Sequence, residues 1–290
     1  MCLAKLAELC ASAHWLFLAA PSTLMVYVLG KVAVTEESRE SLSPVDRRWK
    51  GPCWPLFFWL CVLPCLATGQ TIDTNRPGFS FSPNVVAPGQ WQLETGITYT
   101  RPNNDTRTTS LPTAEIRFGV GDQVEVFISS LSWSETESGA STSSGLVDMA
   151  LGTKLGISNA DDRTQMALLF QLSVPTGDDS FSSDRWDPSL AFVWAHNGDF
   201  AIAGTVKVSD FGSGYQLDNG LKLPFSWGDA HSGFVEWEAN LPEKGGSTHW
   251  LNGGYQWLMN RRMQFDLNAG LGLNDRAGDY RLGVGFSVAL

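Results

Sequence analysis

Three histidines follow residue 69, at positions 196, 231 and 249, and they are the first residues to test for chemistry. A nucleophilic hydrolase site needs a serine within hydrogen-bond reach of a histidine, and a third group must orient that histidine. His231 and Ser232 are the suggestive pair, but neighbouring residues on a strand point to opposite faces. We therefore expect no enzymatic activity and no catalytic residues.

Metal and cofactor sites have equally weak support. No two of the three histidines have the spacing of metal ligands. The loop TGDDSFSSD (176–184) carries oxygen donors that could hold a loose calcium ion, although a solvated loop is the simpler interpretation. The thiolate ligands that zinc favours are missing from the body of the chain, because every cysteine precedes residue 66. These are Cys2, Cys10, Cys53, Cys61 and Cys65. We expect neither a metal site nor a cofactor.

Charge is unevenly distributed along the chain. Residues 1–69 sum to +1, which leaves −11 for residues 70–290. Binding to a phosphate backbone depends on clustered lysine and arginine, and no such basic patch is present. Nucleic acid is therefore not an expected partner.

The elements that must position any functional residue are strands. From residue 88 onward, apolar and polar residues alternate with a period of two, as in Trp91, Leu93 and Ile97 against Gln92 and Glu94. Twelve such segments reach Leu290. They are about ten residues long, which is enough for a tilted strand to cross a bilayer. The segments predict an all-β fold: a transmembrane antiparallel up-and-down β-barrel of about twelve strands over residues 88–290.

The connections between the segments favour the same fold. Those after odd-numbered segments are mostly long and polar, whereas most of those after even-numbered segments are tight turns. This asymmetry is typical of bacterial outer-membrane barrels, and it places both ends of the barrel on the periplasmic side. The competing fold is a soluble β-sandwich, which also alternates.

The region before the barrel is predicted to be a leader. Residues 47–69 have the pattern of a signal peptide: Arg47, Arg48 and Lys50, then an apolar run, then Ala67-Thr68-Gly69 before a cut at Gln70. We interpret residues 1–46 as the product of a start codon placed too early, or as an extended leader. The signal peptide predicts export to the outer membrane of a Gram-negative bacterium. Outer-membrane lipid, lipopolysaccharide and the barrel-assembly machinery would then be partners.

Charged residues occupy the face of the strands that the alternation assigns to the lumen. The predicted lumen-lining residues are Glu94, Glu115, Arg117, Glu125, Asp148, Lys154, Lys207, Asp218, Lys222, Glu236, Glu238, Asp266 and Arg281. They could line a narrow channel, or they could satisfy one another in a sealed interior. Twelve strands lie between filled eight-stranded barrels and open sixteen-stranded porins, so both interpretations stay open.

Residues 70–87 are predicted to form an N-terminal segment in the periplasm or the lumen. Its prolines, Pro77 and Pro83, with Pro88 just beyond, argue against a strand. We expect it to fold into the periplasmic mouth, with Arg76 acting as a latch beside the acidic wall of Glu94, Glu236 and Glu238. A mobile tail is the alternative.

The sequence IDTNRPGFSFSPNVVAPGQWQLETGITYTR (72–101) resembles the opening of the phenol-degradation MetA-pathway family of outer-membrane proteins, often labelled transporters. The matching residues are Thr74, Arg76, Pro77, Gly78, Phe79, Ser82, Pro83, Pro88, Gly89, Gln92, Leu93, Glu94, Gly96 and Tyr99. Similar motifs continue through Arg117–Asp122, Val174–Gly177 and Gly283–Ser287, so that the resemblance covers residues 72–290. Asn75 and the terminal Leu290 depart from the family pattern, in which aspartate and phenylalanine are common.

The resemblance implies a barrel that takes up or exports small compounds, aromatic ones included. We therefore expect a channel or transporter for small solutes of aromatic or hydrophobic character. The alternative is a sealed outer-membrane barrel with a structural role or a role in binding through its loops, since fold does not fix function.

Overall fold

The structure is a computed structural model, and it describes residues 71–290 apart from Asn104, residues 160–161, Phe211 and Ser213. The predicted signal peptide (47–69) and the region before it (1–46) lie outside the described residues. Within the described part of the chain, no helix has the length and apolarity needed to cross a bilayer.

The described residues form fourteen β-strands. They are β1 (Trp91–Asn103), β2 (Thr106–Gly121), β3 (Val124–Leu131), β4 (Trp133–Ser138), β5 (Ser141–Leu146), β6 (Met149–Gly156), β7 (Thr164–Val174), β8 (Asp187–Asn197), β9 (Ala201–Asp210), β10 (Tyr215–Ser226), β11 (His231–Pro242), β12 (Thr248–Asn260), β13 (Met263–Gly272) and β14 (Tyr280–Ala289).

Twelve of these strands close into an antiparallel barrel, which confirms the predicted fold class. Neighbouring strands pair in chain order, except that β3 pairs with β6 past the β4–β5 hairpin. The seam is formed by β1 and β14, from Gln92 opposite Ala289 to Arg101 opposite Tyr280. Closure leaves no barrel strand with an unpaired edge, which is what hydrocarbon requires.

The β4–β5 hairpin extends the sheet beyond the barrel, within one of the long polar connections that follow the odd-numbered segments. β4 pairs with the first residues of β2, and three hydroxyl pairs join the two strands: Thr106–Ser138, Thr108–Thr136 and Ser110–Ser134. Hydroxyl pairs of this kind stabilise neighbouring strands, and serine-rich composition conceals them from a search for apolar alternation.

The two faces of the barrel differ in character. On β3, Val126 and Ile128 are exposed on the outside, whereas the alternating residues Glu125, Phe127 and Ser129 are buried inside. The same alternation puts large apolar side chains on the outer surface of most strands. An apolar exterior around a polar interior is the arrangement of transmembrane barrels.

Aromatic residues gather near the ends of the strands. On the outer face, Trp227 stacks on His231 and Tyr255, and His231 also stacks on Trp257. Aromatic girdles of this kind mark membrane–water boundaries. Trp250 does not belong to such a girdle, since it is buried and the Arg281 guanidinium lies 4.8 Å from its ring centroid.

Closure of the barrel can be tested by proline substitution. Val284→Pro removes a hydrogen-bond donor from the seam strand β14, whereas Thr142→Pro falls in β5, outside the barrel. We expect the unmodified protein to migrate faster on a gel unheated than boiled, and Val284→Pro to lose this shift. Thr142→Pro should keep it; loss of the shift in both variants, or recovery of the unmodified protein in a soluble fraction, would contradict a closed membrane barrel.

Candidate functional site

The lumen is occupied by the chain's own N-terminal segment, residues 71–88. The segment forms no strand. A single β-bridge, between Pro88 and Gly119, joins its end to β2. The segment starts at the end of the barrel that carries the turn after β12, where the backbone N–H of Ile72 donates to the carbonyl of Arg261. From there the segment runs among the inward side chains of the wall.

Carboxylates of the wall accept hydrogen bonds from backbone N–H groups of this segment. Glu94 accepts from Asn75 (3.1 Å) and Arg76 (3.0 Å), and Glu236 accepts from Phe79 (2.8 Å) and Ser80 (2.7 Å). Charge-assisted hydrogen bonds of this kind are stronger than those between neutral groups. A segment without regular structure is thereby held by residues of β1 and β11.

A third carboxylate links the segment to the most deeply buried charges of the wall. Glu125 accepts from the Val86 N–H at 2.7 Å, and it is also paired with Arg117 (2.9 Å) and Lys154 (3.2 Å). Arg117 donates in turn to Glu94 at 2.9 Å. These four charged side chains are each at most 1% exposed, so each depends on the others for compensation.

The cations of this cluster also bind the segment. Arg117 donates to the carbonyl of Asp73 at 2.9 Å, and both Arg117 and Lys154 donate to the carbonyl of Asn84, at 3.3 and 3.2 Å. Glu115 accepts from the Asn75 side chain at 2.6 Å. The wall carboxylates therefore accept hydrogen bonds from N–H groups of the segment, and the wall cations donate to its C=O groups.

Arg76 lies against the wall, but its side chain has a different partner from the one that the sequence suggested. The guanidinium binds Asp266 on β13 at 3.2 and 3.3 Å, while only the backbone N–H of Arg76 reaches Glu94. Glu236 binds Phe79 and Ser80 instead. Glu238 pairs with Arg281 on β14. Of the three carboxylates expected beside Arg76, only Glu94 binds it, through the backbone N–H, and the expectation was wrong for Glu236 and Glu238.

The remaining predicted lumen residues form local pairs along β9 to β14. Lys222 donates to the carbonyl of Ser80 at 2.6 Å and lies 4.0 Å from Glu236. Lys207 pairs with Asp218 at 3.2 Å, and its ammonium lies 5.7 Å from the Phe79 ring centroid. These contacts place both lysines beside the segment.

Asp148 is the predicted lumen residue that the structure places elsewhere. It follows β5, outside the strands, and accepts hydrogen bonds from the N–H groups of Thr176, Gly177 and Ser183 in the loop after β7. Burial raises the pKa of Asp148, but these hydrogen bonds outweigh it and hold the pKa below its ordinary value. Asp148 therefore holds the loop after β7 in place. The prediction of an inward position failed because the strand is interrupted between β5 and β6.

Inward glycines, which the alternation did not single out, make room for the segment. A side chain at Gly96 or Gly285 would collide with the Arg76 guanidinium, one at Gly119 with the carbonyls of Val86 and Ala87, and one at Gly220 with Phe79 and Ser80. Glycine at inward positions of a strand marks a close approach by another part of the chain. That signal was present in the sequence.

An apolar patch in the lumen was also missed. Phe127, Leu169, Ala191 and Val193 lie buried on the inner face of β3, β7 and β8, and Phe81 of the segment packs against them. Segments that are apolar on both faces lose the alternation, which is why these inward positions were not recognised.

The catalytic pair that the sequence raised is divided between the two faces. His231 contacts Tyr255 among the outward aromatic residues, whereas Ser232 donates to Gln256, which faces the segment. Their side chains belong to separate hydrogen-bond groups.

Residues 74–290 match the family described as "Putative MetA-pathway of phenol degradation". The chain belongs to this family. The fold is similar to that of an outer membrane channel from Pseudomonas putida F1, with a TM-score of 0.54 and 14% identity over 74% of this chain and 99% of that chain. The comparison with curated proteins gives no match.

Two further barrels are less similar to this member of the family. The translocator domain of the autotransporter NalP from Neisseria meningitidis has a TM-score of 0.46 and 11% identity over 70% of this chain and 88% of that chain. The KdgM porin has a TM-score of 0.45 and 10% identity over 68% of this chain and 98% of that chain.

The buried charge cluster yields a stability prediction. Glu125→Ala leaves Lys154 without its ion pair and Val86 without its acceptor, and breaking a buried pair costs about 3–5 kcal/mol. Glu137→Ala, at an exposed position of β4, should change the free energy of unfolding by less than about 0.5 kcal/mol. Urea unfolding followed by tryptophan fluorescence measures both, and equal effects would show that the cluster does not stabilise the barrel.

Proposed function

We propose that the chain is a gated outer-membrane channel for small solutes, in which the N-terminal segment closes the lumen. The observation that carries this proposal is the binding of the segment by wall carboxylates at Asn75–Arg76, Phe79–Ser80 and Val86. Exported by its cleaved signal peptide, the mature protein would lie in the outer membrane without a catalytic role.

The construction of the barrel supports a removable segment. Strands β1 and β14 close the wall through their own ladder, so the barrel does not need the segment for closure. The segment is held by side chains and by single backbone contacts, which can break without disturbing the strand pairs. Elements that move are drawn from the less stable parts of a fold.

The lumen also supports a preference among solutes. If the segment withdraws, Phe81 leaves the apolar patch of Phe127, Leu169, Ala191 and Val193 uncovered beside a charged wall. Aromatic and hydrophobic molecules with a polar group match such a surface, because binding sites combine apolar walls with a few polar contacts. The family description agrees with aromatic solutes.

A sealed barrel with a role in binding through its loops is the second candidate. The observation that favours it is the near-complete burial of Glu94, Arg117, Glu125 and Lys154 in mutual pairs. Asp148 adds to this by ordering the loop after β7. A barrel with these features could present fixed loops while passing no solute.

Deletion of residues 71–86 separates the two candidates. A closing segment predicts a higher single-channel conductance in planar bilayers and faster swelling of liposomes in small solutes, because the lumen loses its main obstruction. The heat-dependent gel shift provides the folding control. Unchanged permeability in a folded deletion variant would discard the gate and favour the sealed barrel.

A further inference from the structure

The Arg76 guanidinium lies across one row of residues that the strand register places side by side. Thr113 on β2 pairs with Gly96 on β1, Gly96 pairs with Gly285 on β14, and Gly285 pairs with Asp266 on β13. These residues form what we call the Gly96–Gly285 recess. Because neighbouring strands lie about 4.8 Å apart, the two glycines give a flat floor with a hydroxyl on one side and a carboxylate on the other.

Each edge of the guanidinium has a partner in this recess. Nη2 lies 3.2 Å from Oδ1 of Asp266, Nε lies 3.3 Å from Oδ2, and Nη1 donates to Oγ1 of Thr113 at 3.2 Å. Asp266 is fully buried, whereas the Arg76 side chain is 17% exposed. The anion is therefore fixed in the wall, and the cation is approached from the lumen.

The shape of the recess selects a planar cation. A Cβ at Gly285 would collide with Nε, Nη2 and Cζ of Arg76, and one at Gly96 would collide with Nη2 and Cζ as well as with the carbonyl oxygen of Val284. A guanidinium meets a carboxylate with two parallel N–H groups, whereas an ammonium is a compact point charge that does not fill a flat slot. The flat glycine floor, the Asp266 carboxylate and the Thr113 hydroxyl together match the shape and charge of a guanidinium or an amidinium group.

We propose that the Gly96–Gly285 recess is a binding site for guanidinium and amidinium groups, which Arg76 fills while the segment is in place. When the segment withdraws, a solute carrying such a group binds in the recess instead and so lies within the channel. This second step rests on the proposed function, whereas the binding chemistry of the recess does not.

Arg76 has an advantage over any free ligand, because it is attached to the same chain. A tethered group acts at an effective concentration of about millimolar or higher, so a free guanidinium compound competes poorly with it. The recess must therefore be tested in a chain that keeps the segment but lacks the Arg76 side chain.

The test is chemical rescue of full-length Arg76→Gly. This variant should unfold at a lower temperature, and millimolar ethylguanidinium or benzamidine should restore part of the loss by binding the folded state. Urea, a neutral molecule of similar shape, and ethylammonium, a cation of different shape, should not. The unmodified chain should not respond to any of the four compounds, because its recess is full.

Matched second substitutions locate the binding. Adding Gly285→Ala to Arg76→Gly places a methyl group where the guanidinium lies, and adding Asp266→Asn removes the anion that binds it. Each addition should weaken ethylguanidinium binding at least about tenfold. Adding Gly253→Ala should leave binding unchanged, because the nearest atom to a Cβ there is 3.8 Å away. Equal rescue in all three double variants, or rescue by ethylammonium and urea as well, would overturn the site.

A second measurement separates the recess from the gate. In the channel opened by deletion of residues 71–86, ethylguanidinium should block the current, and Asp266→Asn should relieve the block at least about tenfold. Rescue of Arg76→Gly without conductance in the deletion variant would keep the recess and discard the gate. Conductance without rescue and without block would keep the gate and discard the recess.

Discussion

The structure depends on the pairing of inward charges that the barrel wall cannot satisfy by itself. Glu94, Glu125, Glu236 and Asp266 are each at most 1% exposed, and each completes its contacts with a group from the N-terminal segment. An uncompensated charge at such a site would cost several kcal/mol. In the closed lumen the segment provides this compensation with backbone N–H groups and one arginine, and water must replace these contacts when the segment withdraws.

Other features of the lumen follow from this compensation. A segment of irregular backbone can approach a strand closely only where no side chain intervenes, and Gly96, Gly119, Gly220 and Gly285 provide that space. Its carbonyls then need donors, which Arg117, Lys154 and Lys222 supply. The lumen is thus built as two complementary surfaces, one on the wall and one on the segment, and either would expose unmatched polar groups without the other.

Much of this architecture could be predicted from sequence because strand alternation is local. The period of two recovered all twelve barrel strands and most of their inward charges, including Glu94, Arg117 and Lys154. It was misleading at Asp148, where the strands are interrupted, and it overlooked the β4–β5 hairpin, whose pairing relies on hydroxyls. The partner of Arg76 was out of reach for another reason: Asp266 lies 190 positions along the chain, and only closure of β13 and β14 against β1 brings it near.

The most direct test of the account is a reversible bond between the segment and the wall. Ser80→Cys with Gly220→Cys places two thiols at a point of close contact, and residues 66–290 contain no cysteine of their own. Single-channel recording under oxidising and then reducing conditions compares the locked and the free segment in the same molecules. We predict no opening while the disulfide is intact and a return of opening after reduction. If the channel opened equally often in the oxidised and reduced protein, or in neither, the segment would not be the gate that closes the lumen and opens the channel by withdrawing.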